Sequence, residues 1–166
     1  DRNGTPREFN SPTYTTVILQ ALKKLAELVR HDETRVRAQL AAARLGLSVA
    51  LHIHTGTGRW AGPHSRVYQP SVVGDVPPEE AAVRGWVQDG TLPGWTLDAL
   101  EHRPDRMEVV ETASASEQLG LTTYHSPSFA LGVSSREGGI QADAMIVHYV
   151  RKGADRPGVL YSRYLI

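Results

Sequence analysis

Near residue 105 the spacing of apolar residues changes from a helical to a strand period, which limits the chain to folds in which helices come first and a sheet follows. From Thr13 to Arg30 the residues Val17, Ile18, Ala21, Leu22, Leu25, Leu28 and Val29 recur at three and four, as in a helix with one buried face. Ser11-Pro12 marks its start, with serine as N-cap and proline at the first helical position, where no N–H is needed. A second helix is predicted from Asp32 to Leu51, with Val36, Leu40, Ala43, Leu47 and Leu51 on one stripe. The short connection at His31-Asp32 makes the two an antiparallel helical hairpin. Further helical patterns at Pro78 to Gln88 and Gly94 to His102 are separated by Gly and Pro.

Beyond about Met107, the segments Glu108 to Thr112, Leu121 to His125, Ser128 to Ser134, Ala142 to Arg151 and Gly158 to Ile166 are rich in Val, Ile, Thr, Tyr and Phe and are predicted as strands. Phe129, Leu131 and Val133 alternate with small or flexible residues and are expected on a buried face. The fold class is therefore α+β, a helical hairpin followed by an antiparallel β-sheet or sandwich portion. Residues 1–105 form the mainly helical part and 106–166 the antiparallel β part.

Eighteen basic residues balance eighteen acidic ones, so no general grip on nucleic acid or an acidic membrane is expected and any charge-based recognition is local. The lack of cysteine excludes disulfides, thiolate zinc sites and a cysteine nucleophile, and leaves the compartment open. No apolar run approaches the ~20 residues of a membrane span. The chain opens on Asp1 without a methionine and stops at Tyr164-Leu165-Ile166 inside a strand pattern, the expectation for a piece of something longer.

Chemistry-bearing residues gather in two places. In Glu8-Phe9-Asn10-Ser11-Pro12-Thr13-Tyr14 a carboxylate, a carboxamide and a phenol lead into a helix N-terminus, where free N–H groups and the dipole suit an anion. The plainer alternative is that Asn10 or Ser11 caps the helix while Tyr14 packs with its hydroxyl in solvent. The second place is HIHTGTGRWAGPHSRVY, His52 to Tyr68, at the end of the second helix and in the loop beyond it. His52 and His54 would need a third ligand such as His64 to hold a metal, and their spacing matches no zinc signature, so a hydrogen-bonded structural role is expected for at least one. In Ala61-Gly62-Pro63-His64-Ser65-Arg66-Val67-Tyr68, glycine and proline shape a loop, His64 can exchange a proton near neutral pH, Arg66 can clamp a carboxylate and Tyr68 offers a phenol. These are parts for acid–base work on an anionic substrate, or else a surface loop with incidental polar groups. Ser65 beside His64 does not make a hydrolase, because no G-x-S-x-G elbow surrounds it. Tyr124 to Pro127 and Ser134 to Gly139 are candidates for the rim of a cleft, and His148 is read as a satisfied histidine inside a strand.

Taken together, E-F-N-S-P-T-Y opening a helix, the A-G-P-H-S-R-V-Y loop, F-A-L-G-V-S-S-R-E-G-G, M-I-V-H-Y and V-L-Y-S-R-Y resemble the heparinase II/III-type polysaccharide lyases, built from an (α/α) toroid followed by an antiparallel β-sandwich. The resemblance implies that this chain is the seam between the two, with the last toroid helices and the first sandwich strands. It also implies β-elimination at a uronate of an acidic polysaccharide, without a metal or other cofactor, and an extracellular or periplasmic setting. Carried over, Asn10 would neutralise the C5 carboxylate, His64 would be base or second neutraliser, Tyr14 or Tyr68 the acid, and Arg66 a carboxylate clamp. Glu8, His52, His54 and Trp60 would support substrate binding, and the rest of a longer parent chain would be a partner. A glycoside hydrolase on a similar scaffold and a non-catalytic carbohydrate-binding module are the competing expectations.

Overall fold

A computed structural model of the chain describes residues 5–68, 79–136 and 144–162. Helix α1 runs Pro12–Leu28 and α2 Asp32–His52; a two-residue hairpin, β1 Ile53–His54 and β2 Arg59–Trp60, follows at once. Helices α3 Glu79–Gln88 and α4 Trp95–Glu101 complete the first half. The second half is a five-stranded antiparallel meander, β3 Met107–Ser114, β4 Leu119–His125, β5 Phe129–Ser134, β6 Met145–Tyr149 and β7 Gly158–Ser162, ordered β3-β4-β5-β6-β7. The α+β composition, helices first and strands after, is thus present. Residues 137–139 of the expected rim and the outer ends of the last two expected strands lie outside the described residues. Among the described residues no helix is long and apolar enough to cross a membrane.

The expected cap is in place. Ser11 has extended backbone and its Oγ accepts the Tyr14 N–H at 3.5 Å. Helices α1 and α2 pack with Leu19 against Ala42, joined by Leu92 from the α3–α4 connection. Burying a leucine such as Leu19 stabilises by roughly 1.5–3 kcal/mol. The packed faces differ from the predicted stripes. On α1 the buried residues are Pro12, Thr15 and Leu19, while Val17, Leu25 and Leu28 are exposed. On α2 they are Ala38, Ala42, Gly46, Val49, Ala50 and His52, while Val36 and Leu40 are exposed. The small residues Ala42 and Gly46 on that face leave room for Leu19 and Leu22 of α1 and for Leu92, which lies against Gly46.

A second core joins Val49, Ala50 and Ile53 at the end of α2 to Trp60, Val83 and Leu100. Two stretches without regular structure then bridge helices to sheet. Phe9 packs on Ala113, Leu119 and Leu121, and Val67 packs on Ile146.

The sheet's inner face is the reverse of the parity expected for β5. Ala130 and Gly132 are buried, while Phe129, Leu131 and Val133 are half-buried on the other side. The cause is the loop lying on the sheet. Thr123, Gly132 and Ile146 are cross-strand neighbours in one row, and the Gly62 peptide lies over them. Thr123 Oγ1 donates to Gly62 O at 2.6 Å, and a Cβ built on Gly62 would fall 2.0 Å from Ile146 Cγ2. Only a strand position without a side chain leaves room for that backbone.

Candidate functional site

The two sequence clusters meet where the segment before α1 crosses the loop after β2. Asn10 has φ 43°, a left-handed conformation that asparagine tolerates better than most residues. This turn aims its side chain into the loop. Nδ2 donates to Ala61 O at 3.0 Å and Pro63 O at 2.8 Å, and Oδ1 accepts the Trp60 indole N–H at 2.5 Å. Its main-chain oxygen accepts from His64 Nδ1 at 2.5 Å. Ser65 Oγ donates to Phe9 O at 2.8 Å, and Ser11 Oγ to Arg66 O at 2.6 Å. These bonds zip residues 9–11 to residues 60–66.

Asn10 and His64 therefore hold the loop. Both amide hydrogens of Asn10 are spent on carbonyls, and His64 is only 2% exposed. Burial pushes the His64 imidazole down to about 4, outweighing its hydrogen bond to Asn10, so it is neutral at physiological pH. The cavity beside Asn10, lined also by Ser48, Trp60 and Glu111, measures about 20 Å³. That is room for little more than a water-sized sphere, and no sugar ring enters.

The other histidines of the stretch are also internal. His52 Nδ1 donates to Ser48 O at 2.8 Å, with Glu111 at 4.0 Å; His54 Nε2 donates to Ser126 O at 2.8 Å while Nδ1 accepts from Thr57 Oγ1 at 2.9 Å. Burial lowers both below the usual histidine range. Trp60 is buried and donates to Asn10. None of His52, His54 and Trp60 offers a surface that a polysaccharide could touch, so their place in the fold is structural. His125 and Ser126, expected at a rim, lie inside the same layer, with His125 pushed down to about 3 by burial first and then by Arg103. Among the described residues no group of three or more His, Asp or Glu is arranged to hold a metal ion.

What reaches the surface is a different set. Arg66 Nη1 donates to Glu8 Oε1 at 2.8 Å and to Tyr14 Oη at 2.8 Å. Tyr14 Oη and Tyr68 Oη lie 3.2 Å apart and share a hydrogen. The guanidinium carbon stands 5.2 Å from the Tyr14 ring centroid. Tyr68 is 40% exposed. The hydrogen bond with Tyr14, then burial, holds the Tyr68 phenol above its usual range; the bond to Tyr14 likewise strengthens the charge on Arg66. A cation, a carboxylate and two linked phenols thus form one partly exposed rim, half-buried at Glu8, Tyr14 and Arg66 and open at Tyr68, suited to binding an anion and exchanging protons with it. A separate open groove of about 320 Å³, lined by Val36, Gln39, Leu40 and Trp95 among others, contains no titratable side chain and offers no acid–base chemistry.

Sequence reasoning missed several residues that build this place. Thr123 and Gly132 seat the loop, and Arg103 donates to the carbonyls of Ala50, Leu51 and Ile53 at the end of α2. Gly132 carried a signal, since an isolated glycine within a strand pattern marks close backbone approach. Arg103 carried none.

No family model, no curated protein and no solved structure matches this chain.

Proposed function

We propose that this chain is the seam of a heparinase II/III-type polysaccharide lyase and cleaves a uronate-containing acidic polysaccharide by β-elimination at the rim of Arg66, Tyr14 and Tyr68. The observation that carries the reading is the linkage of two phenols 54 residues apart, one of them held by a guanidinium, on an exposed face. β-Elimination needs a cation for the C5 carboxylate, a base for the C5 proton and an acid for the departing C4 oxygen. Arg66 uses only Nη1 among the described residues, so its other N–H groups suit the carboxylate.

Tyr68, protonated and exposed, is the acid. The base has to enter the step without its proton, and in this reading Tyr14, which accepts from the guanidinium, has that role and takes the C5 proton. Tyr68 gives its proton to O4, and the hydrogen between the phenols then shifts from Tyr14 to Tyr68, which restores the pair. Charge stabilisation by Arg66 is the larger contribution, with each proton transfer worth ~10²–10⁴-fold. Asn10 and His64, first assigned to the carboxylate, serve here as the frame that sets the loop.

A glycosidase would need two facing carboxylates. Among the described residues this rim offers Glu8, which is spent on Arg66. The test is ultraviolet detection of unsaturated uronate after incubation with a panel of acidic polysaccharides. Product that disappears in Tyr68→Phe supports the reading. A folded protein that binds such a polysaccharide without forming product in any case would leave a binding module in its place.

A further inference from the structure

Glu8 and Tyr14 both take a hydrogen from the same nitrogen of Arg66, each at 2.8 Å. A guanidinium on a flexible stem has many rotamers, and one exposed phenol oxygen is a poor anchor for it. Two further constraints fix this one. Ser11 Oγ holds the Arg66 carbonyl at 2.6 Å, and the half-buried carboxylate of Glu8 accepts from Nη1 at 2.8 Å. We infer that Glu8 is a positioning residue and not a substrate contact: its carboxylate holds Arg66 on Tyr14, so that the guanidinium stays on one of the two linked phenols and the roles of Tyr14 and Tyr68 stay distinct. The inference rests on the lyase reading for its consequence in catalysis, and on geometry alone for the linkage of Glu8 through Arg66 to the two phenols.

The geometry gives the pair a direction. Arg66 occupies one acceptor site of Tyr14 Oη, and among the described residues the hydrogen-bonded link from Tyr68 to the guanidinium runs through Tyr14. Without Glu8, Arg66 can swing toward bulk solvent or toward the substrate carboxylate, and the two phenols become equivalent. The Tyr68 phenol is held up first by its hydrogen bond with Tyr14 and then by burial, and the charge of Glu8 adds to this in the same direction.

The experiment uses the full chain labelled with ¹³C at tyrosine Cζ, with Tyr14→Phe and Tyr68→Phe to assign the two resonances. Their alkaline titrations are compared in the unaltered chain, in Glu8→Ala and Glu8→Gln, and in Arg66→Ala with and without Glu8→Ala. Expected is a shift of both titrations in Glu8→Ala, partial retention in Glu8→Gln, which keeps an acceptor for Nη1, and a clearly smaller shift from Glu8→Ala once Arg66 is alanine, where only the direct charge effect of Glu8 is left. A Glu8→Ala shift that persists undiminished without Arg66, or no shift at all, overturns the inference. Where turnover is measurable, Glu8→Ala lowers kcat about tenfold with KM changed less than about twofold, the signature of a lost charge-assisted bond that orients rather than binds. A raised KM at constant kcat would make Glu8 a substrate contact and overturn it too. Absence of turnover in every form would sink the lyase reading and leave the titrations to decide the role of Glu8.

Discussion

Gly132 lies so close beneath the Gly62-Pro63 peptide that a Cβ built on it would fall 1.9 Å from the Gly62 carbonyl oxygen. Backbone fills the space a side chain would need, so Gly132→Ala must push the loop off the sheet or distort β5. Overpacking of this kind costs typically ~1–3 kcal/mol, and here the obstacle is main chain, which yields less readily than a rotamer. Gly85 in α3 is the control: nothing lies within 4 Å of its added Cβ, and alanine in a helix interior gains up to about 1 kcal/mol over glycine. Urea denaturation is therefore expected to show a lowered midpoint for Gly132→Ala and a raised one for Gly85→Ala. Equal midpoints would refute the close approach.

Much of the element order was legible because it depends on local signals. Ser11-Pro12 marks the start of α1 whatever lies beyond it, and the Val, Ile and Thr content of β3 to β7 is a local property. Which face of an element packs is not local. Both stripes of α1 are apolar, and the chain's own periodicity gives no reason to prefer Thr15 and Leu19 over Val17 and Leu25. On β5 the larger residues lost the inner face to Ala130 and Gly132 because a loop from seventy residues upstream occupies it. The site behaves the same way. Asn10 and His64 were legible as polar residues near a ligand-sized loop, but their partners are carbonyls across a fold-level junction, which no spacing rule reaches.

Asn10 combines a left-handed backbone with three side-chain hydrogen bonds, and the two contributions can be separated. Asn10→Ala loses the bonds, strands the Trp60 N–H beside a methyl group and places an ordinary side chain at φ 43°. The cost is on the order of 3 kcal/mol. Asn10→Gly loses the same bonds but relaxes the backbone, and should recover about 1 kcal/mol of that. Chemical denaturation of the two variants measures the difference. Identical stabilities would mean that the backbone conformation carries no strain.

Stability should fall on mild acidification because the buried histidines are neutral in the native state. Both His64, at about 4, and His125, at about 3, lie below the ~6.5 of an unfolded histidine, so between those values the unfolded chain binds protons that the native chain refuses. The contribution is intact above pH ~6.5 and is lost progressively as pH falls toward 4 and 3. For His64 alone the loss between pH 6.5 and 5 is about 2 kcal/mol. Urea midpoints measured at pH 7, 6 and 5 should decline steadily. A flat profile over that range would show that these imidazoles titrate in the folded protein as they do in the unfolded chain.

Tyr68 tests the proposed reaction most directly, because its hydroxyl touches no part of the core. It bonds Tyr14 Oη, which keeps its own bond to Arg66 when Tyr68 becomes phenylalanine. Tyr68→Phe should therefore leave the urea midpoint unchanged and lower the rate of unsaturated uronate formation by ~10²–10⁴, the range for one lost proton transfer. Tyr14→Phe should lower the rate as well and also free Arg66, so substrate affinity changes with it, whereas in Tyr68→Phe affinity stays. Full turnover in Tyr68→Phe would remove the phenol from the chemistry. A loss of binding without a loss of rate at saturation would make the rim a recognition surface, with the acid elsewhere.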